Sequence, residues 1–165
     1  MDETLLLDLL NSTPVRGGTP QDDLADAEAG LRWLAEHDQP ASEQEWRAAL
    51  AARAALQDAV REGVVPPVER FVDGVLSRAS FVDGGVTWTL ELPAGRSTAA
   101  RAVLAWDELT RTSPGRLRPC ANPECRLFLI DHSKPNSARW CSMAVCGNRM
   151  KARRHYQRTR PDSED

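Results

Sequence analysis

Four cysteines fall within 27 residues, Cys120 to Cys146, and the chain has no others. They form two C-x4-C pairs, CANPEC and CSMAVC, separated by the fifteen residues RLFLIDHSKPNSARW. Two thiolates from each pair suit the tetrahedral coordination of zinc(II). The segment around them has too few apolar side chains to build its own core, so metal binding is expected to supply folding free energy. With Cys120, Cys125, Cys141 and Cys146 all acting as ligands, no coordination position is left open. The expected Zn(II) is therefore structural rather than catalytic. The same thiols could serve a redox switch, but no single reactive cysteine stands out.

A disulfide framework would require an oxidising compartment. The opening stretch MDETLLLDLLNSTP is acidic, and Asp8 breaks its short apolar run. That pattern is unlike a signal peptide and too short to span a bilayer. A cytoplasmic location without membrane attachment is expected, and metal binding with it.

Charge divides the chain in the same place. Residues 1–115 carry ten Lys or Arg against nineteen Asp or Glu, whereas residues 116–160 carry eleven against two. The final residues 161–165, PDSED, form an acidic tail. A basic segment beside an acidic one points to a polyanionic partner. Docking of the basic part on the acidic part of the same molecule is the plainer reading of the same pattern.

Residues 1–115 read as mainly α with one β-hairpin. ETLLLDLL suits a short buried helix, and NSTPVRGGTPQDD reads as a loop. ADAEAGLRWLAEHD suits a helix capped by Asp26, with Leu31, Leu34 and Ala35 inward. Ser42 and Glu45 form a capping box at the head of a long helix, with Trp46, Leu50, Ala54 and Leu56 or Gln57 on its face and Gly63 at its end. A further helix is expected behind Pro67. ASFVDGGVTWTLEL shifts to a period of two around Asp83-Gly84-Gly85, a hairpin signal. STAARAVLAWDELTRT returns to helix. Trp33, Trp46, Trp88 and Trp106 read as core rather than as a ligand pocket. No phosphate-binding glycine loop, nucleophile elbow or histidine cluster is present, so no enzymatic role is expected.

Residues 116–160 read as a small four-Cys finger made of a knuckle, a hairpin and a helix. RLFLID and SARW are expected to pair across the SKPN turn, with a helix starting near Cys146. At about 100° per residue, Arg149, Arg153, Tyr156 and Arg160 share one stripe, and Lys151, Arg154 and Arg158 another. Only Met150 and Ala152 are aliphatic, too little for a core-facing helix. A metal-anchored basic helix suits a nucleic-acid groove, with Asn148 a candidate for adenine and Lys134 and Arg139 adding backbone contacts.

The residues Cys146-Gly147-Asn148-Arg149, preceded by WCSM and a C-x4-C pair and followed by Lys151, resemble the CGNR zinc finger. Upstream, LDLLNS, DDLADAEAGLRWLAEH and RAALAARAALQDAV are similar to the ABATE domain that precedes this finger in bacterial proteins. That resemblance implies a stress-associated transcription regulator with DNA as its partner. By position it makes Cys120, Cys125, Cys141 and Cys146 zinc ligands, and places Asn148, Arg149 and Lys151 on the binding surface. Ala138 stands before Arg139 where the family often has a second basic residue.

The expected function is therefore a zinc-dependent DNA-binding regulator. Arg139, Asn148, Arg149, Lys151, Arg153, Arg154 and Arg158 are its candidate contacts. The N-terminal part would sense a small-molecule effector or form a homodimer. RNA as the polyanion and an acidic protein partner are the alternatives. A more distant one is an HNH-like nuclease built on Asp131-His132, Asn148 and His155.

Overall fold

The structure, a computed structural model, describes residues 2–159, so Arg160 and the acidic tail lie outside the described residues. The leucine run forms helix α1 (Glu3–Leu10), capped by Asp2, whose side chain accepts from the Leu5 N–H. Leu5, Leu6, Leu9 and Leu10 are buried, the spacing of one helical face. The stretch expected as a loop holds a minimal ladder. Strand β1 (Val15–Arg16) pairs antiparallel with β2 (Thr19–Pro20) across Gly17-Gly18. Two-residue strands are too short to show a period, so only the glycines hinted at this turn.

Helix α2 (Ala27–Glu36) is capped by Asp26 as the sequence predicts. Its buried face is Gly30, Trp33 and Leu34, whereas Leu31 is half-buried and Ala35 exposed. Helix α3 (Glu43–Glu62) starts at Ser42, which accepts from the Glu45 N–H, and ends at Gly63 in the left-handed region with φ +68°. Its buried stripe runs through Ala49, Ala52, Arg53, Leu56 and Gln57, and the expected Ala54 is exposed. Two polar residues enter that stripe because each is satisfied. Arg53 donates to both Asp22 oxygens at 2.7 Å and to Ser12 Oγ at 2.8 Å. Gln57 donates to the Leu10 carbonyl at 2.7 Å and to Thr13 Oγ1 at 2.9 Å.

A short helix α4 (Glu69–Val72) leads into the hairpin of β3 (Leu76–Val82) and β4 (Gly85–Glu91), turned by Asp83-Gly84. The hairpin is where the sequence predicts it, but Trp88 belongs to no core: it is largely exposed. Helix α5 (Ser97–Thr112) then packs against α1 and α3. The main core collects Leu6, Leu9, Leu10, Leu34, Leu56, Val103 and Leu109 from the helices.

Strands β5 (Leu117–Pro119) and β6 (Phe128–Ile130) pair antiparallel and flank the first cysteine pair. The predicted pairing of RLFLID with SARW is thus corrected: FLI takes its partner from LRP, upstream of Cys120. The physical reason is Phe128, buried in the helical core with Leu117 and Ile130 packed beside it. Asn11 fixes that strand by accepting from the Phe128 N–H at 2.7 Å and donating to its carbonyl at 3.3 Å. Only one backbone bond joins the SARW stretch to the knuckle, from Ala121 N–H to the Arg139 carbonyl at 2.8 Å.

Candidate zinc centre and basic helix

The β5–β6 ladder holds CANPEC at its tip. The Cys120 N–H donates to the Leu127 carbonyl and the Cys125 N–H to the Asn122 carbonyl, which curls the pair into a knuckle. The second pair sits at the start of the last helix. Met143–Gly147 makes a single π-type turn whose first residues are capped by Ser142, and helix α6 (Asn148–Thr159) follows directly. Gly147 permits this arrangement. A Cβ there would meet the Met143 side chain at 2.8 Å and Trp140 at 3.2 Å.

The four sulfur atoms lie within 4.8 Å of one another. Cys125 to Cys141 and Cys141 to Cys146 are both 3.7 Å. A tetrahedral site with Zn–S bonds of about 2.3 Å requires sulfur separations of about 3.8 Å. The donor set therefore fits Zn(II). Burial pushes the Cys125 thiol up to about 11 and raises Cys141 as well, so a dication is what allows these sulfurs to be anionic together. Two hydrogen bonds cushion them. Asn122, fully buried, donates from Nδ2 to Cys146 Sγ at 3.4 Å, and the Cys141 N–H donates to Cys120 Sγ at 3.4 Å.

The spacer between the pairs is organised by Asp131, which is 2% exposed. Its carboxylate accepts from the Ser133 N–H at 2.8 Å, the Ala138 N–H at 2.7 Å and Arg118 at 3.0 Å. Ser133 contributes most and, with Ala138 and Arg118, outweighs burial to hold the carboxyl at about 2. Arg116 donates to the Ser133 carbonyl on the same loop at 2.8 Å. Part of the finger's positive charge is thus committed to shaping it.

The sequence profile of the CGNR zinc finger matches residues 116–159. That of ABATE, described as "Putative stress-induced transcription regulator", matches residues 3–123. The chain belongs to the ABATE family. No curated protein matches it. The two profiles of this ABATE protein overlap across the β5 strand and the start of the knuckle, where finger and helices share a core. The ABATE description points to a regulator rather than an enzyme. No described helix is long and apolar enough to cross a membrane.

Within the ABATE chain the basic residues of α6 divide. Lys151, Arg154 and Arg158 are exposed, and at about 100° per residue they fall within one narrow sector. Arg149 and Arg153 lie on the opposite side. Arg149 borders a cleft of about 900 Å³ shared with Cys125, Cys141 and the β1–β2 turn. Arg153 forms an ion pair with Glu124 of the knuckle. Asn148 donates to the Ala144 carbonyl at 3.3 Å, and Arg139 lies over the Trp140 ring at 5.4 Å.

Among the described residues, the four cysteines are the one group of three or more His, Cys, Asp or Glu placed to share an ion. Of the HNH-like set, Asp131 is tied into its loop and His132 faces Glu3 at 3.4 Å. Asn122 was not singled out from the sequence, and Asp131 entered only through the nuclease alternative, not as the residue that shapes this loop. The Asn-Pro step inside CANPEC was the available signal for Asn122.

Proposed function

We propose that this protein is a zinc-dependent DNA-binding transcription regulator, with residues 1–115 as the sensing or dimerising unit and 116–160 as the reader. Cys120, Cys125, Cys141 and Cys146 hold the zinc. Lys151, Arg154 and Arg158 make the principal phosphate contacts, flanked by Arg139, Asn148 and Arg149, while Arg153 braces the helix on the knuckle.

The observation that supports this most is the placement of α6. It leaves the metal site directly at Cys146 and presents an exposed sector of three cations. Such a helix is rigidly aimed by the zinc and has almost nothing apolar to bury, so its free face suits a phosphate backbone.

Fluorescence anisotropy with mixed-sequence duplex DNA tests the reading, comparing zinc-loaded and chelated protein across a salt series. Binding should require zinc and fall steeply with salt. Lys151→Ala with Arg154→Ala should weaken it at least about tenfold and flatten the log–log salt slope by about 2, roughly one per lost phosphate contact. Unchanged affinity in that variant would remove DNA from this helix face. Zinc-independent binding, or none, would shift the finger to an acidic protein partner.

A further inference from the structure

The hairpin β3–β4 gives no residue to the apolar core. Every residue from Leu76 to Leu90 is exposed. The register pairs Ser77 with Leu90, Ala79 with Trp88, and Phe81 with Val86. Cross-strand partners of an antiparallel ladder share a face. One face therefore carries Ala79, Phe81, Val86, Trp88 and Leu90, with Ser77 its sole polar residue. The other carries Ser80, Thr87, Thr89 and the Arg78–Glu91 ion pair at its centre, with Leu76 and Val82 only at the two ends of β3.

This is the pattern of a ribbon with one wet face and one dry face. The dry face is nevertheless open: Phe81 is 75% exposed, Trp88 69%, Val86 61% and Leu90 55%. A two-stranded hairpin alone is marginal in water, and a contiguous apolar patch of this kind marks an interaction site.

We propose that this face is a dimerisation surface that packs on the same face of a second copy of the chain. It deepens the dimerising role proposed for residues 1–115 and is independent of what the finger binds. Charge favours a second copy. The strands carry only Arg78 and Glu91 as ionic groups, both on the outer face and paired with each other. Two identical dry faces can thus stack about a twofold axis with no like charges opposed. Area agrees. With aromatic side chains covering about 150–250 Å² each, the four large residues expose on the order of 500 Å². Two such faces bury about 1,000 Å² in total, the lower bound for a specific interface.

Sedimentation equilibrium of the zinc-loaded full chain tests this over about 1–100 µM, where interfaces of modest area dissociate. The expected result is a mass near twice 18.2 kDa. Trp88→Glu should weaken the dimer at least about tenfold, and so should the milder Phe81→Ser with Leu90→Ser. Thr87→Glu puts the same charge on the opposite face of the same strand and should leave the dimer intact. The DNA-face variant Lys151→Ala with Arg154→Ala should also remain dimeric, which separates this proposal from the reading of the finger. A wild-type chain that stays monomeric throughout would overturn it. So would a dimer indifferent to both dry-face variants.

Discussion

Glu45 joins two helices through one carboxylate. It is 1% exposed, and its oxygens accept from the Ser97 N–H at 2.9 Å, the Ser97 hydroxyl at 2.8 Å and the Thr98 N–H at 3.0 Å. These are orphan donors at the start of α5, where the helix dipole also favours an anion. Glu45→Ala should destabilise the chain by about 3 kcal/mol, because buried donors are left without acceptors. Glu45→Gln should cost less, and urea unfolding midpoints would rank the two. An equal loss would mean that packing, not charge, is what α5 needs. Sequence showed half of this residue's role. The Ser42–Glu45 spacing correctly placed the helix start, but the reciprocal half of a capping box is a local inference. The carboxylate is drawn instead to a helix 52 residues away, which no local pattern encodes. Arg53 and Asp22 make a second such link. Burial pushes Asp22 up, but its bonds from Arg53 and the Leu24 N–H outweigh this and hold the carboxyl below the usual 3.8. A lowered carboxyl stabilises the fold above pH about 4 and loses that contribution as pH falls through the folded value. The stability gap between wild type and Asp22→Asn should therefore be constant near neutrality and close below pH about 4. A gap independent of pH would rule out the ion pair as its source.

At the scale of elements, the knuckle was legible and its supports were not. Spacing alone brought Cys120, Cys125, Cys141 and Cys146 into one group, since few coordination geometries accept two C-x4-C pairs. What orients them is Asn122. Its amide donates to Cys146 Sγ while its carbonyl oxygen accepts from the Glu124 N–H at 3.2 Å. One side chain thus shapes the turn and stabilises a thiolate. Asn122→Ala should weaken zinc binding by about 10- to 100-fold, the usual cost of losing a ligand's supporting partner. Competition with a chromophoric chelator would measure it, and unchanged affinity would reduce Asn122 to a turn residue. The strand partner of FLI was misread for a related reason. Alternation shows that a segment is a strand, but tertiary burial chooses its neighbour, and Phe128 is claimed by the helices. The basic helix was legible as an element from charge and apolar scarcity. Which side of it turns away from the protein was not. Glu124 lies 29 residues before Arg153, and only the folded knuckle makes them meet.

The whole molecule is two kinds of structure sharing one strand pair. The helices between residues 3 and 112 are held by an apolar core of ordinary composition. The knuckle and α6 have no such core: beyond Cys146 and Gly147, the stretch from Cys141 to Arg158 has no buried residue. Between them, β5 and β6 carry the knuckle at one end and give Leu117, Phe128 and Ile130 to the helical core at the other. Arg61 extends this joint, with its guanidinium 4.8 Å from the Phe128 ring. Zinc removal should therefore act in grades along the chain. Amide hydrogen exchange after chelation should rise sharply over 120–127 and 139–158, where thiolates supply the fixed points. Exchange in α1, α3 and α5 should barely change, because their protection comes from leucine packing that the metal does not touch. Phe128–Ile130 should fall between, since one edge of that strand pair loses its anchor while the other stays bonded to Asn11. If the helices lose protection together with the finger, the metal is holding a single cooperative unit. If β6 opens completely with the knuckle, the Asn11–Phe128 link is a consequence of zinc binding. The graded outcome alone matches a helical body that carries its metal-ordered reader on a strand pair of its own.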